Sequence, residues 1–155
     1  KGIVYSDIKN KHEDVRNSLG EELSIIQGNE PNTVTFLIPC KQRDVIYLKE
    51  LLENEEFQQF AADNPLPFCC GVDMYNQLVL KCLTNAPHIL VAGGTNSGKS
   101  VWMNAILITL ILLRSPSDLR LFLIDPKKVE FMQYKGFSHV EEVITEMDKA
   151  IKTLD

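Results

Sequence analysis

Eight consecutive residues have types and spacing that could do chemistry: Gly93-Gly94-Thr95-Asn96-Ser97-Gly98-Lys99-Ser100. They satisfy G-x-x-x-x-G-K-[ST] at every fixed position, a pattern suited to gripping phosphate. Gly93 and Gly94 let the chain reverse and keep side chains away from an anion. Successive backbone N–H groups then face inward as a cradle. Thr95 and Ser97 are small and polar, as a phosphate-lined turn prefers. Asn96 sits mid-loop, where a left-handed backbone is expected, and Asn tolerates that better than most residues. Gly98 lets a helix begin close beneath the phosphates, adding unpaired N–H donors and the positive end of its dipole. Lys99 is expected to place its ammonium on the β- and γ-phosphates as the catalytic cation. The Ser100 hydroxyl is expected to ligate Mg²⁺.

Such a loop needs a strand before it and a helix after it. His88–Ala92 reads as a short buried strand and Val101–Leu113 as the helix. That helix is apolar nearly all round, interrupted by Asn104 and Thr109, so it should be covered on both sides. It is too short to span a bilayer, which takes about 20 residues. Leu119–Ile124 is an almost continuous apolar run, as expected of a parallel strand buried on both faces and reached by a right-handed crossover. Asp125 ends it. It reads either as a metal partner opposite Ser100 or as a strand-end residue that positions Pro126-Lys127-Lys128 near the site. From Val140 onward, Val140, Val143, Ile144, Met147, Ile151 and Leu154 fall at helical spacing. Ser138 with Glu141 reads as their capping box.

Upstream, residues 1–39 look like a small α/β unit. A strand is expected at Ile3-Val4-Tyr5. A helix capped by Asn10 and Glu13 should follow, ended by Gly20. Strands at Leu23–Gln27 and Thr33–Ile38 should flank a turn at Gly28–Asn32. His12 reads as a solvent-facing helix residue. Lys41 and Arg43 read as surface-loop residues. A single helix is expected over Val45–Phe60, with Glu50, Glu53, Glu55 and Glu56 as its solvated face. Asp63-Asn64-Pro65-Leu66-Pro67 is a linker signal, and a hairpin of Phe68–Val72 with Leu78–Lys81 should turn at Asp73–Asn76. The domain boundary is expected near residue 64, with a small α/β domain and connecting helix over 1–63 and the nucleotide-binding core over 64–155.

Over 155 residues, 21 acidic side chains outnumber 16 basic ones and leave a net charge of −5, so a general basic coat for nucleic acid is absent. None of the four cysteines, Cys40, Cys69, Cys70 and Cys82, has metal-site spacing. Reduced thiols and a cytoplasmic setting are expected. The chain lacks an initiator Met and stops at Asp155 within a helical pattern, so a fragment of a longer protein is expected.

Pro87-His88-Ile89-Leu90-Val91-Ala92-Gly93 leading into Ser97-Gly98-Lys99-Ser100 resembles the FtsK/SpoIIIE DNA translocases. Ile124-Asp125-Pro126-Lys127 is similar to the stretch that family carries after its loop helix, and Val101, Asn104 and Ala105 also agree. Ile38-Pro39, Tyr47–Leu52, the hairpin at Gly71 and Gly2–Leu19 extend the resemblance along nearly the whole chain. Gly94-Thr95-Asn96 departs from the Thr-Thr-Gly of many members, and no Asp-Glu follows an apolar strand before Asp155.

The resemblance implies an α/β, RecA-like P-loop NTPase core: a parallel sheet with flanking helices, preceded by a small α/β domain and incomplete at its C-terminus. It also implies ATP and Mg²⁺, a homo-hexameric ring that moves double-stranded DNA through regions outside this chain, and membrane contact only through N-terminal segments absent here. By this resemblance Asp125 is not the main Mg²⁺ partner. The alternatives are a related motor driving type VII protein secretion and a nucleotide-binding assembly module without turnover. A GTPase is disfavoured because Asn-Lys-x-Asp is absent, and a small-molecule kinase would need downstream residues this chain does not show.

Overall fold

A computed structural model describes residues 4–20, 22–28, 30–39 and 45–154. The chain divides into two compact units, Lys1–Val45 and Ile46–Asp155.

The first unit contains α1 (Tyr5–Asn10), α2 (His12–Leu19), β1 (Ser24–Gln27) and β2 (Val34–Leu37). The two strands form an antiparallel hairpin, with Ile25 opposite Phe36. The expected turn between them is present. A Cβ on Gly28 would lie 2.1 Å from Thr33 Oγ1, and Asn32 takes φ 62°. Gly20 closes α2 at φ 68°, as expected. The strand expected at 3–5 is corrected: Tyr5 opens α1, and its hydroxyl donates to the Ile25 carbonyl at 3.2 Å. The Asn10–Glu13 cap does not form, because Asn10 lies in the last turn of α1 and Lys11 precedes α2 without a side-chain cap. His12 is half-buried rather than solvent-facing, its ring bonded to the Leu23 carbonyl. Ile3, Cys40, Lys41 and Arg43 lie outside the described residues.

The second unit opens with two helices where one was expected: α3 (Leu48–Glu53) and α4 (Glu55–Asp63). Asn54 divides them. Its side-chain oxygen accepts from the amides of Glu56 at 2.9 Å and Phe57 at 3.2 Å, so it caps α4 instead of continuing α3. The acidic face is solvent-exposed as expected. The hairpin is also as expected, β3 (Pro67–Val72) against β4 (Leu78–Cys82), antiparallel. Asp73 builds its turn by accepting from the Tyr75 and Gln77 amides at 2.8 and 2.9 Å.

Helix α4 packs on this hairpin and buries Phe57 and Ala61. The Asp63–Pro67 stretch is held rather than loose. Arg114 donates to the carbonyls of Ala61 at 2.8 Å, Asn64 at 2.5 Å and Pro65 at 2.6 Å.

The loop helix α5 spans Lys99–Leu113. One side meets β3, where Trp102 stands edge-on to the buried Phe68 with ring centroids 6.0 Å apart. Met103, Leu107 and Ile111 pack instead against Leu123, Phe131 and Tyr134. The cover on α5 is incomplete, since Val101 is 73% and Leu112 65% exposed. Beyond it, β5 (Leu121–Ile124) pairs in parallel with β6 (Val140–Ile144), and α6 spans Met147–Leu154.

β6 corrects the single helix expected from Val140 onward. Val140, Val143 and Ile144 are β-branched, and a parallel partner lets them extend. Glu141 caps nothing here: its carboxylate pairs with Arg120, which precedes β5. β5 is buried on one face only, for Phe122 is 56% exposed. His88–Ala92 carries no regular secondary structure and is not the expected buried strand. Among the described residues no strand pairs with it, and Leu90 is 93% exposed. No helix among the described residues is long and apolar enough to cross a membrane. Cys82 is buried as a small hydrophobe should be, whereas Cys70 is exposed.

Candidate functional site

The loop turns where the sequence demands it. Asn96 takes φ 63° and Gly98 φ 88°, both left-handed. The Ser97 amide donates to the Gly94 carbonyl at 3.2 Å and closes the turn. Ser97 then folds back over Gly93, where an added Cβ would lie 2.2 Å from its hydroxyl oxygen. Gly94 has nothing within 4 Å of such an atom, so its glycine is not required by packing within the loop.

Helix α5 starts at Lys99, and its first ladder bond runs from the Trp102 amide to the Gly98 carbonyl at 2.9 Å. The amides of Lys99, Ser100 and Val101 therefore have no intrahelical acceptor. They open on a cavity of 510 Å³ lined by Gly93 to Val101 and by Glu130. Lys99 is exposed and makes no ion pair or hydrogen bond among the described residues. Backbone donors, a helix N-terminus and a free ammonium together form a receptor for a polyanion. All eight residues singled out in the sequence line the same cavity.

Asp125 is buried, 4% exposed, and does not line this cavity. Its Oδ2 accepts from the amides of Glu130 and Phe131, each at 2.9 Å. The Phe131 amide is the main reason its carboxyl titrates below the ordinary range. Burial opposes the shift, and the other amides of the turn add to it. The aspartate is thus a clasp for the loop after β5. That loop brings Glu130 to the cavity, while Lys127 and Lys128 stay exposed and outside its lining.

Glu130 is the site residue that sequence reasoning missed. Its Oε1 accepts from Ser100 Oγ at 2.5 Å. The available signal was a strand-end aspartate followed by turn residues, but the partner lies 30 residues away in the chain. A second link runs alongside it. Asn104 donates to the Ser100 carbonyl at 2.8 Å and accepts from Tyr134 Oη at 2.5 Å and Gln133 Nε2 at 3.0 Å.

The donor set fits a triphosphate with a divalent cation: amides and Lys99 for phosphate, and the Ser100 hydroxyl, bonded to the Glu130 carboxylate, for a hard metal ion. A glycine turn that opens into a helix over such a cavity, beside a parallel strand pair, defines a P-loop NTPase of the α/β class. Within that class, the FtsK/SpoIIIE family model matches residues 47–155, and the chain belongs to this family.

Among its relatives are proteins named DNA translocase FtsK. That of Rickettsia prowazekii (strain Madrid E) is 37% identical over 138 residues, 88% of this chain and 18% of the relative. That of Helicobacter pylori (strain J99) is 42% identical over 130 residues, 83% of this chain and 15% of the relative. That of Campylobacter jejuni (strain 81-176) is 37% identical over 155 aligned positions, covering 98% of this chain and 16% of the relative. The chain thus spans less than a fifth of these relatives. A solved structure of the pCW3 conjugation coupling protein TcpA, in its monomer form with ATPγS, is similar at a TM-score of 0.53 and 27% identity, over 97% of this chain and 40% of that one.

Proposed function

We propose that this chain is the ATP-binding part of a hexameric motor that uses ATP hydrolysis to move double-stranded DNA. The observation that carries the reading is the 510 Å³ cavity whose lining is the phosphate loop, Lys99 and the Ser100–Glu130 pair. In this reading the amides of Gly94 to Ser100 hold the phosphates and Lys99 neutralises charge developing on the γ-phosphoryl. Ser100 would help to hold Mg²⁺, which would supply positive charge to offset that of the phosphates. The family and the names of its relatives support DNA as the cargo. An acidic chain supports a division of labour in which DNA is touched by other parts of the parent protein. Work in the cytoplasm, in chromosome segregation, sporulation or transfer of mobile elements, follows from the same reading.

The test is calorimetric titration of the chain with ATPγS and Mg²⁺, together with ATPase assays on the parent protein with and without DNA. Lys99→Ala should weaken ATPγS binding at least about tenfold, the effect of losing roughly 1.4 kcal/mol of charge-assisted contact. In the parent it should abolish DNA-stimulated turnover. Unchanged binding by Lys99→Ala would refute the site. Binding without DNA-stimulated hydrolysis in the parent would favour an assembly module or a protein-moving motor.

A further inference from the structure

Glu130 presents a physical puzzle. It places a carboxylate on the lining of a cavity otherwise built of amides, hydroxyls and an ammonium. A polyanion entering there meets a like charge, which costs free energy unless a cation stands between them. The carboxylate is also firmly placed. Its own amide and the next are clasped by Asp125 at 2.9 Å, and Phe131 is buried in the core beneath α5. Glu130 and Tyr134, at the two ends of that short segment, both reach the first turns of α5. Glu130 takes the Ser100 hydroxyl, and Tyr134 takes Asn104, which itself holds the Ser100 carbonyl. Ser100 is thereby gripped at both its side chain and its backbone.

Building on the nucleotide site proposed above, we infer that Glu130 is a positioning residue that makes nucleotide binding depend on the divalent cation. With Ser100 Oγ–H donating to Glu130, the oxygen's lone pairs are turned free for a metal, and the acceptor raises their donor strength. Without the cation, the same carboxylate repels the phosphates. One residue therefore both favours the metal-bound complex and disfavours the metal-free one.

The experiment is titration with ATPγS in excess Mg²⁺ and again in EDTA, for the wild-type protein and for Glu130→Gln. The glutamine keeps the shape and an acceptor for Ser100 but removes the charge. The wild type should bind much more tightly with Mg²⁺. In Glu130→Gln that gain should shrink by about tenfold or more, as loss of a metal's outer partner does, with metal-free binding no weaker than wild type. Glu130→Ala should show the same shrinkage. Mn²⁺ titration of the ATPγS complex, followed by electron paramagnetic resonance, should give a matching loss of metal affinity. An unaltered Mg²⁺ gain in both variants would overturn the inference while leaving the nucleotide site standing. So would an equal loss of binding in Mg²⁺ and in EDTA, the mark of a merely structural role. Failure of the wild type to bind ATPγS in either condition would sink the nucleotide site and this inference together.

Discussion

Gly94 and Gly98 sit in one turn, yet the backbone treats them differently. Gly98 holds φ 88° at the head of α5, a conformation that burdens any residue with a Cβ. Gly94 has no left-handed φ and open space where a Cβ would be. Gly98→Ala should therefore lower stability by about 1–2 kcal/mol, while Gly94→Ala should stay within roughly 0.5 kcal/mol of wild type. Urea denaturation of the two variants side by side measures the difference, and equal losses would refute the assignment. The loop was legible in the sequence because its demands are local: a left-handed Asn96, a left-handed Gly98 and a Lys-Ser pair at the helix start are set by neighbours in the chain. Glu130 was not legible, because nothing near it in sequence says that it will meet Ser100.

At the scale of the elements, the turn after β5 is ordered by one ionised side chain. Asp125 is clasped in its charged form by backbone amides, so its folded pKa lies below the ordinary carboxyl value. A group whose pKa is depressed by folding contributes stability that is complete above the unfolded value, about 4. That contribution is lost as pH falls through the depressed folded value. Asp125→Asn should thus be less stable than wild type near neutral pH, and the gap should narrow toward about pH 3. Denaturation curves at both pH values test this, and a gap constant with pH would count against the clasp.

Arg114 serves a comparable purpose elsewhere. Its guanidinium reaches three carbonyls at the end of α4 and just after it, and also the Leu113 carbonyl at 2.9 Å. A cation at helix C-termini is favourable for the dipole as well as for the orphan carbonyls. The Pro-rich stretch therefore behaves as a fastened corner, although its composition reads as a linker.

For the whole molecule, charge decides what the chain can hold. With 21 acidic and 16 basic side chains, the net charge of −5 sets a repulsive background toward nucleic acid. The 155-residue chain should bind double-stranded DNA more weakly than about 10⁻⁴ M at physiological salt, the weak end of non-specific binding. Fluorescence anisotropy with a labelled duplex measures it. Saturable micromolar binding would place a DNA surface on this chain and overturn the proposed division of labour. The proposed nucleotide binding would be exempt from the background, because short-range amides and Lys99 dominate inside the cavity.

What the residues determined unaided was a set of features carried by contiguous chain: the phosphate loop, the Asp73 turn, the cap at Gly20 and the long apolar helix, though not the cap at Asn54 that divides α3 from α4. In each case the backbone conformation follows from residue types within a few positions. What only the tertiary structure decided was the set of long-range pairings. Val140–Ile144 has spacing that a helix would also satisfy, and becomes a strand because β5 offers it a parallel partner. His88–Ala92 has a strand's composition and gains no ladder among the described residues, since a strand is a property of two segments and not of one. Asp125 reads as a metal partner or as a strand-end residue that positions Pro126-Lys127-Lys128; it becomes a clasp because Glu130 and Phe131 present their amides to it, and that arrangement carries a carboxylate to Ser100.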